Sequence, residues 1–457
     1  MMDHQATIPP GLPRDHPIQS YWQDPPDAIA DHRTSLDLPS QAYIVIVGSG
    51  ISGATIAYNL LSADPTLNIV LLEARQAASG ASGRNGGHTK TASYRSFTDN
   101  VKSVGTQDAT RIAHLEYNCM VAIHDFIKTN NLDCDSKRCQ TVDVFYDPVQ
   151  WKAAQESVAL MDELMGSSAP KHTFHTPAET SSQFLAQTPL GSLEYESGSL
   201  SAYKLTISIL KLALSMNLNL QTNTPVNSIV KSPSTGEWQT TTPRGTISSK
   251  KLILATNGYT AHLYPPLQGV IVPLRGVVTA QRPGQNMPQQ GLPTTFSFIY
   301  STGFEYMITR PAGTTHEGDI IIGGGLPYAA NNGVSEYGNT DDSAYDEGSA
   351  SYLLDTTRQF FGSENWGSDH PEGHARKIWS GVMGFSADGY PFVGPVPGEQ
   401  GLFLDVSFQG HGMVLCFLCA RALADMVLGK DDGLHEWFPD AYRVTEERLR
   451  KKFTGRV

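Results

Sequence analysis

Cysteine is scarce in this 457-residue chain: five residues, Cys119, Cys134, Cys139, Cys416 and Cys419, form an odd and widely spaced set. That usage excludes a disulfide scaffold. Cys416 and Cys419 have redox or metal spacing, but they lie in an apolar run over 412–427 that reads as a buried helix. With no second such pair and no His-rich partner, both thiols are expected to pack as small hydrophobes, and no metal site is expected. Long apolar runs are also missing. The longest are about eight residues, against the ~20 that a spanning helix needs. Nor is there an excess of positive charge: 33 Lys and Arg against 45 Asp and Glu give a formal net charge of −12. That balance argues against nucleic acid or an anionic membrane as partner. Residues 1–28 have no basic stretch followed by an apolar core, so no secretory leader is expected there. Gly455-Arg456-Val457 is not a Ser-Lys-Leu-type address. The expected location is the cytoplasm.

What the chain does have is glycine in a particular setting. Residues 43–47, Tyr-Ile-Val-Ile-Val, read as a strand that runs into Gly48-Ser49-Gly50-Ile51-Ser52-Gly53. A periodic helix follows over 54–61, then a second apolar strand over 69–72 that ends at Glu73-Ala74-Arg75. This is a βαβ dinucleotide fingerprint. Gly48 permits the tight turn, Gly50 lets a pyrophosphate approach the backbone, and Gly53 lets helix and strand pack closely. The free N–H groups of the first helical turn then face phosphate. Glu73 stands where a carboxylate accepts hydrogen bonds from an adenosine ribose.

Directly after the acid comes a second glycine-rich segment, 77–88, containing Ser79, Gly80, Ser82, Gly83, Arg84, Asn85, Gly86, Gly87 and His88. A nicotinamide cofactor has no evident use for it. A flavin does, because its ribityl chain and ring extend beyond the pyrophosphate. On these residues the chain resembles the D-amino-acid oxidase (DAO) superfamily of FAD-dependent oxidoreductases. The Ser-Gly-Arg-Asn-Gly-Gly run is most similar to the gamma-glutamylputrescine oxidase and glycine-sarcosine oxidase-like branch and to fungal FAD-dependent oxidoreductases. The resemblance covers most of 41–430 and rests on three further segments: Ala255-Thr256-Asn257-Gly258, the late run 383–394 with Met383, Asp388, Gly389 and Pro391, and Gly410-His411-Gly412-Met413. It implies that these residues, with Val226, line an FAD site.

Length suggests two or three domains. The resemblance implies a mixed α/β (α+β overall) architecture: a Rossmann-like FAD-binding domain and a discontinuous β-rich substrate domain. The expected division is an N-terminal arm over 1–40, an FAD-binding domain over 41–130, 191–269 and 371–430, a substrate domain over 131–190 and 270–370, and a closing tail or helix over 431–457. The extreme N-terminus is expected to be mobile, with the aromatic segment 17–22 packing as an extended arm. Helices are expected over 108–130, 151–165, 204–216, 351–361 and 413–428, and strand pieces over 142–146, 270–280, 295–300, 304–310 and 319–323.

The Gly-His-Gly turn opening the last helix has a physical role. Reducing a flavin puts negative charge on N1 and the C2 carbonyl, and a helix N-terminus aimed there opposes it. His411 would add a donor. Amine oxidation otherwise needs mainly positioning in a dry cavity. Candidate lining residues are Arg84, Asn85, His88, Arg275, Tyr306, Arg310, Trp379 and His411, and Arg275 or Arg310 would hold a substrate carboxylate. The alternatives for these are surface ion pairs for the arginines and plain packing for Trp379 and Tyr306. Sarcosine-oxidase-like members attach flavin through a cysteine shortly before the late aspartate and use a lysine in the substrate sheet toward oxygen. Residues 379–383 contain no cysteine and 304–310 no lysine, so FAD is expected to bind without a covalent link, a bond through His88 being the lesser alternative. The expected reaction is oxidation of a C–N bond in a small amine or amino acid, with O2 or another acceptor. The competing readings are an NAD(P)H-dependent FAD monooxygenase, a dehydrogenase, and a flavoprotein used as a binding module.

Overall fold

The strand Gln41–Val47 lies at the centre of the first sheet. In the computed structural model, which describes residues 2–455, it pairs in parallel with Ile69–Leu72 (Val45 opposite Val70) and with Gly245–Leu254 (Val45 opposite Leu252). Met1, Arg456 and Val457, on which the readings of the two chain ends partly fall, lie outside the described residues. The sheet continues through Leu402–Val406 to Phe392–Pro395 on one side and to Asn219–Gln221 on the other. Ser228–Lys231 and Trp238–Thr242 join it as an antiparallel extension. Ile44, Val45 and Ile46 are fully buried, as expected of a parallel strand covered on both faces. Helices Ile51–Ala63, Ala202–Ser215 and Cys416–Leu428 pack together in the core on one side of it.

The second sheet has eight strands in the spatial order Ala375–Ser386, Ile271–Gln281, Ile320–Gly324, Gly303–Thr309, Thr295–Tyr300, Lys137–Phe145, Gly191–Ser199, His172–His175. Its two faces differ in character by a one-residue step. Val142, Phe296, Met307 and Ile322 lie opposite one another in register and belong to an apolar cluster capped by helix Glu347–Trp366, where Phe298 stacks on Phe360 at 3.8 Å between centroids. The next row is Asp143, Ser297, Tyr306, Gly323, Val278 and Trp379. Because side chains alternate along a strand, this row faces the other way.

Several boundaries differ from the sequence expectation. Residues 191–199 and 375–386, assigned to the cofactor domain, pair into the second sheet; strand partners are long-range and leave no mark in local alternation. The long helix begins at Tyr94 rather than 108, and it breaks helical geometry only at Gly105 (φ 81°). The last helix starts at Cys416, not 413, because Gly412–Val414 forms a 3-10 turn and Leu415 (φ −131°) leaves the helical region. Near the N-terminus, Met2–Ala6 is helical with Ala6 buried, and Tyr21–Gln23 is a 3-10 turn rather than extended. The closing segment contributes the short helix Glu446–Leu449. All five cysteines are free, Cys416 and Cys419 buried. No helix among the described residues is long and apolar enough to cross a membrane.

Candidate active site

The fingerprint turn is locked by close backbone approach. A Cβ on Gly53 would lie 1.9 Å from the Gly48 carbonyl oxygen. Gly48 itself has φ 106°, and a Cβ there would lie 2.5 Å from the Ala255 oxygen. Strand-to-helix turn and the Ala255–Gly258 segment are therefore in contact. Glu73, 9% exposed, accepts from Ser49 N (3.0 Å), Ser49 Oγ (2.7 Å) and Arg75 N (3.0 Å). Ser49 Oγ in turn accepts from Ala78 N, and Ser82 Oγ accepts from Ile51 N at 2.8 Å. The two glycine-rich segments are thus tied together at the start of the helix. Val226 is buried in the core beside the first sheet, and Thr224 N donates to the Glu73 carbonyl two residues before it.

The distant motifs converge. Asn257 (φ 46°) accepts from Ser407 N at 3.1 Å through Oδ1. A Cβ on Gly258 would lie 2.6 Å from the Met383 oxygen, and one on Gly384 would lie 2.7 Å from Asn257 Oδ1. Gly410 (φ 77°) sits against Met383 Sδ. Residues 255–258, 383–384 and 407–410 therefore share one place. Asp388 and Pro391 do something else. Both Asp388 oxygens take the fork of Arg448 (2.8 and 3.0 Å), whose Nη1 also donates to the Pro391 carbonyl, so the turn through Gly389 is fastened to the C-terminal helix.

Residues 84–90 run across the polar row of the second sheet. The Arg84 carbonyl accepts from Trp379 Nε1 at 2.7 Å. Gly86 lies on the Tyr306 ring, where a Cβ would come within 2.4 Å. His88 Nε2 meets Thr295 Oγ1 at 2.7 Å, and Lys90 Nζ bonds Ser297 Oγ and Asp143. The segment begins over the edge strand Ala375–Ser386 and ends over Lys137–Phe145. Tyr306 is half-buried, and burial pushes its hydroxyl up to about 12. Burial first, and Lys90 second, hold the His88 imidazole well below its ordinary value, so it is neutral.

Four of the expected catalytic residues have committed partners. Arg275 holds Glu336 through Nε (2.6 Å) and Nη2 (3.0 Å) and donates to the carbonyls of Asp341 and Ala344. Arg310 pairs with Asp135 at 2.9 Å and lies over the Trp22 ring. Trp379 is fully buried and stacks on Tyr21. His411, half-buried, precedes the 3-10 turn, and its N–H donates to the Phe408 carbonyl. The two arginines are not brought together. Asn85 turns its side chain back on its own loop, onto the Ala81 and Ser82 carbonyls and the Gly87 N–H.

Residues not singled out from the sequence complete the site. Asp342, 1% exposed, takes the Arg75 fork (2.9 and 2.9 Å) and lies 3.4 Å from Arg84 Nε. Burial lowers the Arg84 guanidinium to about 10. Lys90, Arg95 and Asp143 form a buried charged group. A signal for Asp143 was present: a lone carboxylate inside the apolar run Thr-Val-Asp-Val-Phe. Asp342 gave none, since its partner stands 267 residues away.

A flavin dinucleotide fits what is here. Ser79 Oγ, Arg75 Nε and Tyr259 Oη are buried polar atoms with no hydrogen bond among the described residues, and the Tyr259 hydroxyl faces Asp342, Arg75, Arg84 and Glu73. A Cβ on Gly80 would meet nothing within 4 Å, which leaves room beside the loop. Buried donors of this kind require a partner. Together the parallel sheet, the fingerprint and the second sheet under the glycine-rich loop define a two-sheet, dinucleotide-dependent oxidoreductase. The chain belongs to the FAD dependent oxidoreductase (DAO) family, whose profile matches residues 44–426; it is an enzyme of the FAD-dependent oxidoreductase class. It is 25% identical over 402 residues to the probable oxidoreductase OrdL of Rhizobium meliloti (strain 1021), covering 86% of this chain and 85% of the relative. It is 27% identical over 192 residues to glycine oxidase of Pseudomonas aeruginosa, covering 42% of this chain and 45% of that protein. The crystal structure of glycine oxidase from Geobacillus kaustophilus has the same fold, with a TM-score of 0.70 at 18% identity over 88% of this chain and 99% of that one.

Proposed function

We propose that the protein oxidises the C–N bond of an amine or amino acid, removing hydride from the carbon and leaving an imine that water hydrolyses to a carbonyl and free amine. The observation that carries this reading is the path of residues 84–90 over the polar row of the second sheet. It creates a wall in which the half-buried Tyr306 is flanked by glycines. The glycine oxidase likeness over 192 residues supports the same class. Bound FAD would supply the hydride acceptor and pass the electrons to O2 or another acceptor. Ser49, Gly50, Glu73, Ser79 and the N-terminus of helix Ile51–Ala63 would hold its ADP half. The turns 255–258 and 410–413, with Met383, would hold the flavin end, and backbone N–H groups near His411 would oppose charge that develops there.

The remaining roles belong to side chains. Neutral His88 and the high hydroxyl pKa of Tyr306 leave the wall uncharged at neutral pH, which favours the free-amine form of a substrate over its ammonium form. The link to FAD is non-covalent in this reading: His88 is committed to Thr295, and 379–383 offers no cysteine. The sheet fed by residues 41–72 and 245–254 serves the cofactor, and the second sheet serves the substrate.

Anaerobic mixing of the purified yellow protein with a panel of amines and amino acids is the test. Bleaching of the visible flavin spectrum by at least one of them is expected, with ammonia or amine released in equal amount. Rapid bleaching by NAD(P)H alone would sink the reading in favour of a hydroxylase-type cycle. Hydrogen peroxide formed on admitting air identifies O2 as acceptor.

A further inference from the structure

The arm over 17–23 takes no part in the chemistry above, yet its polar side chains are buried: Ser20 completely, Trp22 to 7% exposure and Gln23 to 5%. They lie on the glycine-rich loop. The Ser20 hydroxyl donates to the Gly83 carbonyl, and Trp22 Nε1 donates to the Asn85 carbonyl. The Arg84 carbonyl between them takes Trp379 Nε1. Three consecutive carbonyls of the loop are thus each held by a side chain from outside it.

Ser20 precedes the 3-10 turn Tyr21–Gln23, a position where a serine hydroxyl commonly accepts from the N–H groups of its own turn. It makes no such cap bond here, and its proton goes to Gly83 instead. The donors are packed into one block. Tyr21 stacks on Trp379 at 6.2 Å between centroids, its hydroxyl donates to Asp319 at 3.0 Å, and Arg310 lies over both the Tyr21 and Trp22 rings. A Cβ on Gly83 would lie 3.3 Å from Gln23 Cδ, and one on Gly87 would lie 3.2 Å from Trp22 Cζ2. Ala77 N donates to the Ala30 carbonyl and Ile18 N to the Asp342 carbonyl, so the arm follows the loop along its length.

Gly83, Gly86 and Gly87 make up most of residues 83–87. Such a segment cannot fix itself, because glycine has no side chain to pack and the widest choice of backbone angles. The direction of its carbonyls decides the direction of its donors. In a trans peptide the C=O of one residue and the N–H of the next point opposite ways. With the carbonyls of 83, 84 and 85 turned to the block, the N–H groups of 84, 85 and 86 are turned away from it. The Arg84 N–H closes the loop's own turn on the Ala81 carbonyl, and those of Asn85 and Gly86 face the side opposite the arm.

We propose that Ser20 and Trp22 are positioning residues for the cofactor: by holding the Gly83 and Asn85 carbonyls from behind, they keep the Asn85 and Gly86 N–H groups aimed at bound FAD. The role needs only the FAD site, so it is independent of the C–N oxidation reading and is measured without a substrate. Aimed donors favour the reduced cofactor, which carries added negative charge, over the oxidised one. A loosely aimed loop therefore loses more affinity for the reduced form, and the reduction potential falls. General loosening of the fold weakens both forms alike and leaves the potential where it was.

Trp22→Phe keeps a ring and removes the N–H. Ser20→Ala removes the hydroxyl and Ser20→Thr keeps one. Redox titration of the FAD-loaded proteins against dyes of known potential is the test. In Trp22→Phe and in Ser20→Ala the balance is expected to move toward the oxidised form by about three- to tenfold, a fall of about 14 to 30 mV for a two-electron couple. Ser20→Thr should stay close to the unsubstituted enzyme. Thr34→Ala, which removes the acceptor of the Leu220 N–H at the far end of the arm, should leave the potential unchanged. An unchanged potential in Trp22→Phe overturns the role of Trp22, and in Ser20→Ala that of Ser20; an equal fall in Thr34→Ala overturns both. If the variants do not fold, hydrogen exchange of the unsubstituted protein decides. Amides of 18–24 are expected to slow together with 83–87 when FAD is added to stripped protein, and slowing of 83–87 with 18–24 unchanged overturns the proposal.

Discussion

Gly53 and Gly80 sit in the two glycine-rich segments, and the structure gives them opposite tolerance. An alanine at 53 puts its methyl 1.9 Å from the Gly48 oxygen, a backbone atom that is itself pinned against Ala255. The helix must move off the strand, and overpacking of this kind costs about 1–3 kcal/mol. Gly53→Ala is expected to emerge largely colourless, with a lower melting temperature. Gly80→Ala meets no protein atom within 4 Å and has an ordinary negative φ of −79°, so the stability of its FAD-stripped form should stay within about 0.5 kcal/mol of the unsubstituted protein. Glu116 offers a second residue-level test. It is 5% exposed, its Oε2 has no bond among the described residues, and burial raises its pKa from 4.5 to about 8. The folded state therefore holds the proton more tightly than the unfolded one. The stability this gives is complete below about pH 4.5 and is lost as pH rises through 8, by up to about 1.4 kcal/mol per pH unit. Glu116→Gln removes that slope, so its urea midpoint should gain on the unsubstituted protein between pH 5 and pH 8.

At the scale of elements, the Asp342 clamp is the joint most exposed to a single change. Arg75 leaves the end of the second strand, Arg84 stands at the far side of the glycine-rich loop, and Asp342 comes from a loop 267 residues from Arg75. Asp342→Asn leaves two buried guanidiniums without their carboxylate. The expected cost is about 3–5 kcal/mol, read as a lower denaturant midpoint, with loss of FAD because both arginines brace residues 79–84. Local features of this fold were legible in the chain: the fingerprint strand and helix, and the helix expected over 151–165 and found at Pro148–Met165, follow from residues within three or four positions of each other. The helix Tyr94–Thr129 was read only from 108 onward, since Gly105 interrupts the period and the first turns rely on packing of Tyr94 and Phe97. Membership of 191–199 and 375–386 in the second sheet was not legible, because a strand's alternation names its faces but not its neighbours. For the same reason Arg275 and Arg310 looked available. Their partners, Glu336 and Asp135, are 61 and 175 residues distant.

At the scale of the whole molecule, residues 79–90 belong to both sheets at once. They bond the fingerprint helix through Ser82, the edge strand through Arg84, and the interior of the second sheet through His88 and Lys90. Anything that binds this segment only in the folded state stabilises the two sheets together, by RT ln(1 + [L]/Kd), or about 2.7 kcal/mol at a hundredfold excess over Kd. FAD added to stripped protein is therefore expected to raise the melting temperature by several degrees, in a manner that grows with the logarithm of its concentration. Hydrogen exchange adds the spatial part. Amides of 79–90, 255–258 and 407–412 should gain protection in concert on FAD addition, and so should 295–299 in the second sheet, which meets the loop through Thr295 and Ser297. Protection confined to 48–53 and 69–75, with the second sheet unchanged, would mean that the loop couples to the cofactor sheet alone. The placement of the substrate wall on the opposite sheet would then have to be given up.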